Sequence, residues 1–428
     1  IPIIHCPQCG EVPVPERDLP VTLPEVENYQ PTGTGESPLA GIPEFVNVTC
    51  PKCGGTARRE TDTMGGFACS SWYFLRFADP HNESEAFSRE ALDYWLPVDM
   101  YVGGAEHAVM HLLYARFWTK ALYDAGLVGF AEPFTQLRNQ GMMLAYTPGR
   151  AVAAGEARED GDADDDEAPI EDWKVLRPEE RATIPEDQWI WRWVKMSKSY
   201  GNVVTPDEAA QNYGADALRV YEMFVVPFED TVQWSDEGIR GCLRFLGRVW
   251  RLVARHAEGF DPQAWRQSVA SATGPELELR RKTHRTVLKV GADIEDFAFN
   301  TAVAALMEWV NGMYEVSNAL PEGRRSAALD EAIEYLVLTL APIAPHIADE
   351  MWEGLGQEGF LYRHPWPEAD AALAASQDTI TIVVQVNGKV RDKVEVPADT
   401  DMAQVQEQAL TLPNVVKHVA GKEIVKVI

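Results

Sequence analysis

The chain has 428 residues, 46% of them apolar, and a formal net charge of −28 from 66 acidic and 38 basic side chains. That length exceeds one ordinary core and points to roughly two to four domains. Acidity on this scale opposes non-specific nucleic-acid binding and suits a salt-loving, halophilic source, and the lack of any apolar run of roughly 18 residues excludes a spanning helix and so a membrane partner.

The chain opens on Ile1 rather than Met, with no signal-peptide pattern after it, and 424–428 read as a strand that stops abruptly. Both ends read as cut, as in a fragment or one half of a split protein. Residues 1–60 are rich in Pro and Gly and carry two CxxC pairs, Cys6/Cys9 and Cys50/Cys53. Cys69 and Cys242 stand alone, and lone thiols without a secretion signal point to a reducing cytoplasm. Residues 61–146 alternate short apolar runs with helical patterns, which suggests α/β. Residues 147–190 differ: 156–172 is nearly all acidic and small, cannot bury a core and reads as an insertion, with order expected to resume near Trp189.

Residues 191–235 hold a lysine-bearing loop and connecting helices. Beyond them Ile239, Cys242, Leu243, Leu246, Trp250 and Val253 recur at helical spacing, as do Phe299, Ala302, Val303, Leu306, Met307, Val310, Met313 and Tyr314. A third run, Leu329, Ile333, Leu336 and Leu340, meets Pro342 and Pro345, which should kink or end it. The spacing predicts a helical bundle over 236–375. In 376–428 an alternating run, the type I′ turn signal Asn387-Gly388 and a returning run over 389–396 predict a hairpin. A helix near 401–410 and a last strand would complete a small, truncated α/β domain.

The strongest chemical signal is Lys195-Met196-Ser197-Lys198-Ser199, followed by Tyr200-Gly201-Asn202. Two ammonium groups three residues apart, with hydroxyls and a glycine nearby, suit a loop that folds over a triphosphate and stabilises the charge that builds as pyrophosphate leaves. Thr205-Pro206-Asp207-Glu208 follows, with Thr205 as N-cap, Pro206 at N1 and Glu208 at N3 of a helix. A basic surface loop is the plainer reading. With Tyr213-Gly214-Ala215-Asp216-Ala217-Leu218-Arg219 added, the stretch resembles the signature loop of class I aminoacyl-tRNA synthetases.

The second signal is Tyr101-Val102-Gly103-Gly104-Ala105-Glu106-His107-Ala108-Val109-Met110-His111. An apolar run ends in two glycines, which let a ligand approach the backbone, and a helical pattern begins near Glu106. His107 and His111 would lie one turn apart on one face. By spacing alone they could be a zinc pair, although Ala108 stands where an HExxH site has Glu, or satisfied core histidines. The segment resembles the leucyl-tRNA synthetase form, as do Glu60-Thr61-Asp62-Thr63-Met64, Ser70-Ser71-Trp72-Tyr73-Phe74, Gln140-Gly141-Met142-Met143-Leu144, Ala341-Pro342 to His346, and Val386-Asn387-Gly388-Lys389-Val390-Arg391.

That resemblance implies ATP held by Gly104, Glu106, Gln140, Gly141 and Met142. It implies leucine held by Ser71, Tyr73, His107 and His111, and catalysis by Lys195, Met196, Ser197, Lys198 and Ser199 with Mg²⁺. It makes 61–146 the second half of a Rossmann-like core and 236–375 an anticodon-binding-type bundle, which in leucyl enzymes is thought to serve the acceptor end and variable arm more than the anticodon. The implied reaction joins leucine and ATP and passes leucine to leucine tRNA, in a monomer when full length. The family's His-x-Gly-His loop does not occur here, and its editing domain is expected before Ile1. On those grounds the isolated chain is expected to be inactive unless the missing half docks as a partner. A non-catalytic tRNA-binding fragment is the alternative, and a valine, isoleucine or methionine enzyme a weaker one given His107 and His111.

The doubled CPxCG form, Cys6-Pro7-Gln8-Cys9-Gly10 and Cys50-Pro51-Lys52-Cys53-Gly54, reads as two knuckles around a structural Zn²⁺. Reduced thiol turns, or a redox CxxC, are the other readings. Finally, Arg240, Arg244, Arg248, Arg251 and Arg255 recur at helical spacing, and Arg280, Arg281, Lys282, His284, Arg285 and Lys289 form a second cluster. Each is either a solvated helix face paired with nearby acids or a phosphate-contacting surface for tRNA.

Overall fold

The computed structural model describes residues 1–25, 33, 35–152, 173–321, 323–375, 379–397, 400–422, 424, 426 and 427. The chain divides into two compact units, Ile1–Asn139 and Gln140–Ile428.

The first unit begins with four short antiparallel strands, β1 (Ile3–Cys6), β2 (Gly10–Pro13), β3 (Asn47–Thr49) and β4 (Thr56–Arg59), in the order β2-β1-β4-β3, with a one-turn helix α1 (Pro43–Val46) before β3. Their core is small: Ile4, Cys6, Val12, Val14, Cys50 and Ala57. Helices α2 (Phe67–Ser70), α3 (Tyr73–Ala78) and α4 (Arg89–Trp95) lead to β5 (Val98–Val102), α5 (His111–Asp124) and β6 (Phe134–Arg138). β5 and β6 pair in parallel, as a strand–helix–strand crossover requires, around Phe74, Leu75, Leu92, Ala115 and Val128. The helix expected from Glu106 is different. A 3₁₀ turn spans Ala105–Val109, Met110 breaks the backbone at φ −115 and ψ −101, and the α-helix begins only at His111.

The second unit is built on β7 (Met143–Ala151), which pairs antiparallel with β8 (Trp173–Val175) and β9 (Ile190–Lys195). The acidic stretch 156–172 lies outside the described residues. Regular structure is present from Trp173, well before Trp189, because Trp173 and Val175 bury themselves with Val194; a one-turn helix α6 (Pro178–Arg181) follows β8. After β9 come α7 (Pro206–Tyr213), α8 (Ala215–Phe224) and the short strand β10 (Val232–Gln233), parallel to β7.

The bundle follows: α9 (Asp236–Ala257), α10 (Pro262–Ser268), α11 (Gly274–Glu295), α12 (Phe299–Ala319), α13 (Ala327–Leu340) and α14 (Pro345–Gly354). The apolar stripes read from the sequence converge on one core in which Ile239, Val249, Leu252, Leu306, Trp309, Met313, Ile333 and Leu336 are fully buried, but Leu243 and Trp250, counted in the first stripe, lie at its edge and are exposed. α13 stops two residues before Pro342, and α8 holds the resulting elbow. Arg219 donates to the carbonyls of Pro342 and Ile343, while Asp216 accepts from the Ile347 N–H at 2.7 Å and pairs with His346 at 2.8 Å. One side chain thus satisfies the open carbonyl end of a helix, and the other the open amide end of the next.

After a short helix α15 (Ala371–Ala375), β11 (Thr379–Val386) and β12 (Lys389–Pro397) form the expected hairpin, with Asn387 and Gly388 both at positive φ. α16 (Met402–Thr411) and a second helix, α17 (Pro413–Val419), follow. The expected last strand is not seen at Ile424, Lys426 or Val427; its other residues lie outside the described ones.

Candidate functional site

Four cysteines close the ends of the small sheet. Gly10 and Gly54, each just after the second cysteine of a pair, take φ +74, the left-handed turn that aims backbone N–H groups at sulfur. The sulfurs of Cys6, Cys9, Cys50 and Cys53 all lie within 4.8 Å of one another, and Cys6 and Cys53 are 3.6 Å apart. Zinc–sulfur bonds of about 2.3 Å imply sulfur separations of about 3.8 Å in a tetrahedron. The Gln8 N–H, against burial and with help from the Cys9 N–H and the neighbouring thiols, lowers the Cys6 thiol to about 7. Among the described residues this is the only group of three or more His, Cys, Asp or Glu placed to hold an ion, so His107 and His111 do not form such a group.

In the same unit, a separate cleft of about 440 Å³ opens where β5 ends, walled by Phe67, Tyr73, Tyr101, Gly104, His107 and His111. Asn139 donates to the Gly103 carbonyl at 2.8 Å and steadies the glycine turn. A Cβ at Gly104 would sit 2.1 Å from the Glu106 carboxylate, so glycine lets that carboxylate fold over the backbone. The His107 and His111 rings stand perpendicular, 6.3 Å apart, and His107 Nδ1 is buried with no partner among the described residues. Tyr101 is the hub: its hydroxyl lies 2.9 Å from that of Tyr73 and 2.6 Å from His111 Nε2. Burial, then the neighbouring His107, lowers the His111 pKa; burial, then Tyr73, raises that of Tyr101. The cleft is thus lined by aromatic rings, the glycine turn and the hydrogen-bonded Tyr73–Tyr101–His111 trio.

One sequence assignment needs adjusting, and one further residue joins the cleft. Ser71 is fully buried and donates its hydroxyl to the Ala68 carbonyl at 2.8 Å, while Ser70 faces the cleft. Tyr101 opened the motif but was not singled out; its place, the last bulky polar residue before the glycines, was the available signal.

In the second unit, Gln140, Gly141 and Met142 precede β7. A Cβ at Gly141 would meet the backbone carbonyl of Asp230 at 1.9 Å, so this glycine is required by close chain packing. The Gly141 N–H donates to Phe228 and the Met142 carbonyl accepts from Val232. β9 delivers Lys195 into the loop. The Met196 N–H bonds back to Met143, the hydroxyls of Ser197 and Ser199 meet at 2.8 Å, and the chain turns through Gly201 at φ +57. α7 then begins as the sequence pattern requires: Thr205 Oγ1 accepts from the Glu208 N–H at 3.2 Å, and the Glu208 carboxylate accepts from the Thr205 N–H at 3.3 Å.

The two cation clusters differ. On α9, Arg240, Arg244, Arg251 and Arg255 are exposed and Arg248 is half-buried. Arg248 donates to Asn311 at 2.7 Å and lies over the Tyr314 ring, and Arg255 donates to Ser317 and Asn318. None of the five pairs with a carboxylate among the described residues. On α11, Arg280 pairs with buried Glu331 at 2.7 Å, Arg281 with Glu278, and Lys289 with Asp293 at 2.7 Å. Lys282 donates to the Glu308 carbonyl at 2.6 Å. Arg280, Arg281 and Lys289 are thus paired with carboxylates, as the plainer reading expected, but Arg280 and Arg281 are largely enclosed rather than on a solvated face.

Residues 276–407 match a family described as "Anticodon-binding domain of tRNA ligase". The leucine–tRNA ligase of Symbiobacterium thermophilum is 43% identical over 456 residues, covering 100% of this chain and 47% of that protein. That of Gloeobacter violaceus is 45% identical over 439 residues, covering 100% and 48%. A crystal structure titled as the ternary complex of Agrobacterium radiobacter K84 agnB2 LeuRS-tRNA-LeuAMS superposes with a TM-score of 0.70 at 31% identity, covering 100% of this chain and 47% of that one. The lysine loop on its capped helix and the helical bundle beyond it accompany a likeness, along the whole of this chain, to part of the leucine–tRNA ligases, which are class I aminoacyl-tRNA synthetases. It spans about half the length of the curated relatives it matches.

Proposed function

We propose that this chain serves in a leucine–tRNA ligase, which joins leucine to ATP as leucyl-adenylate, releases pyrophosphate, and transfers leucine to the terminal ribose of leucine tRNA. The observation that carries the reading is the two-lysine loop anchored at the start of a capped helix, in a chain similar along its whole length to the leucine–tRNA ligases named above. Lys195 and Lys198 stabilise the charge on the departing pyrophosphate with Mg²⁺, and Met196, Ser197 and Ser199 shape their loop. Gly104 and Glu106 receive the ATP ribose; Gln140, Gly141 and Met142 provide the strand edge for adenine. Tyr73, Tyr101, His107 and His111 enclose the leucine side chain, with Ser71 supporting that wall from behind.

The exposed arginines of α9 contact tRNA phosphates. The four cysteines hold one structural Zn²⁺; with four thiolates the ion has no open position and takes no part in the chemistry. We assign 1–60 to the zinc module, 61–146 to the core and 147–190 to an insertion. Residues 191–235 form the loop and its helices, 236–375 the bundle, and 376–428 the C-terminal α/β domain. Among the described residues no helix is long and apolar enough to cross a membrane, and the free thiols suit a cytoplasmic setting.

The test is leucine-dependent ATP–pyrophosphate exchange by the full-length enzyme. Lys198→Ala should slow exchange roughly a hundredfold with leucine binding unchanged, the usual cost of losing one preorganised charge at a transition state. An unchanged rate would refute the role.

A further inference from the structure

We propose that Asn202 and Thr147 form a latch that keeps the lysine loop folded, which makes Asn202 a positioning residue for pyrophosphate departure; this rests on the reading of the loop given above. The Asn202 side chain touches both sides of the loop's entry. Its Oδ1 accepts the Ser197 N–H at 2.8 Å, and its Nδ2 donates to the Lys195 carbonyl at 3.2 Å and to Thr147 Oγ1 at 2.8 Å. Thr147 is fully buried in β7, and its hydroxyl proton goes to the Ala145 carbonyl at 2.9 Å. With that proton spent, Thr147 can only accept from Asn202, which settles which way the amide points.

One amide therefore stitches the last strand residue, Lys195, to the loop residue Ser197 and ties both to a buried strand. The approach to Asn202 is narrow. Gly201 sits at φ +57, and a Cβ there would lie 2.6 Å from Pro178 Cγ. From the other side the Arg181 guanidinium holds the carbonyls of Tyr200 and Gly201. Neither Asn202 nor Thr147 carries charge, so neither can stabilise pyrophosphate directly. Their contribution is that the lysines need no ordering when the charge develops, and such preorganisation acts on the chemical step rather than on ground-state leucine binding.

Two near-isosteric changes separate the contacts. Asn202→Asp keeps an acceptor for the Ser197 N–H but sets an oxygen against two acceptors, Thr147 Oγ1 and the Lys195 carbonyl. Thr147→Val removes one acceptor and leaves Nδ2 with the Lys195 carbonyl alone. In the full-length enzyme, Asn202→Asp should lower the exchange kcat about thirtyfold and Thr147→Val about fivefold, from the usual worth of the bonds lost. The leucine Kd, by calorimetry without ATP, should not move, and Thr147→Ser should restore most of the rate. Because the latch acts through the lysine, Asn202→Asp added to Lys198→Ala should cost much less than thirtyfold.

Wild-type exchange in both latch variants, with Lys198→Ala slow, would overturn the latch and leave the loop reading standing. Wild-type exchange in Lys198→Ala as well would overturn the loop reading itself. Fully additive losses in the double variant would overturn the positioning role. Should the variants fail to fold, hydrogen exchange on the wild-type enzyme decides: the Ser197 amide should be protected well beyond a free loop amide, and an unprotected one overturns the proposal.

Discussion

The cysteine sheet and the helical bundle are held together by different means. The sheet buries six core residues, two of them cysteines, and its strands are three or four residues long. The bundle buries more than thirty residues in one cluster, with Trp309, Leu306, Met313 and Ile333 fully enclosed. A core as small as the sheet's does little to offset the chain entropy of ordering it, and in the proposed zinc-bound state the four sulfurs would supply what apolar burial supplies in the bundle. The bundle, in turn, has burial to spare and can accommodate buried ions such as the Arg280–Glu331 pair. With zinc bound as proposed, a polar cluster would be the main support in one region, while in the other it is a tolerated cost.

Removing metal should break the comparison most strongly. Chelation should melt the sheet and leave the bundle's helices intact, since structural zinc contributes about 10 kcal/mol or more to a fold that depends on it. Far-ultraviolet dichroism with hydrogen exchange resolved by segment would show this; a sheet that keeps its protection after complete metal removal speaks against the zinc assignment. Next in size is Glu331→Ala. Burial raises the Glu331 pKa, but His284 and Arg280 together outweigh it and the net shift is downward. Removing that carboxylate leaves Arg280 half-enclosed and should cost about 3 kcal/mol in denaturant unfolding. A loss under about 1 kcal/mol would place the pair among ordinary surface bridges.

A smaller effect concerns acid. Glu60 is held at about 2 by the Asp62 N–H and by His5, 2.8 Å away. A depressed carboxylate contributes stability that is present above its unfolded value, near 4.3, and is lost as pH falls through the folded value. The sheet should therefore weaken progressively from about pH 5 towards pH 2. Glu60→Gln should flatten that dependence in an acid titration of the metal-loaded protein, and an unaltered acid limb would deny Glu60 its part. Smallest for stability, though not for function, is the α9 face. Arg240→Glu with Arg244→Glu should change melting little yet weaken leucine-tRNA binding and flatten its salt dependence, each lost contact removing about 0.9 from the slope if duplex DNA is a guide. A strong loss of melting stability with tRNA affinity intact would return those arginines to the solvated-face reading.

What the sequence shows well is local. The Thr205–Glu208 box, the Asn387-Gly388 turn and, apart from the exposed Leu243 and Trp250, the apolar stripes of α9 and α12 are written within a few residues, and the structure contains them. Features that depend on distant partners were hidden. Asp216 and Arg219 are part of a recognisable string, but their work is to cap helices that start or end about 125 residues later, which no spacing announces. Ser70 and Ser71 each donate to a carbonyl three residues back, at 3.3 and 2.8 Å, and differ in that Ser71 is fully buried while Ser70 lines the cleft. His107 and His111 have the spacing of one α-helical turn, yet Met110 interrupts the helix, and it is the cleft, not the helix face, that brings the two rings together. Trp173 nucleates β8 from the edge of an acidic run because one large apolar ring finds Val175 and Val194 to bury against.

The central claim is that leucine is the amino acid served. The most direct measurement is amino-acid-dependent ATP–pyrophosphate exchange by the full-length enzyme containing this chain, with leucine, isoleucine, valine and methionine compared at equal concentration. The account predicts exchange with leucine at least about a hundredfold above each of the others in kcat/KM, the discrimination a shaped apolar pocket can give between close relatives. Equal or faster exchange with isoleucine, valine or methionine would contradict it.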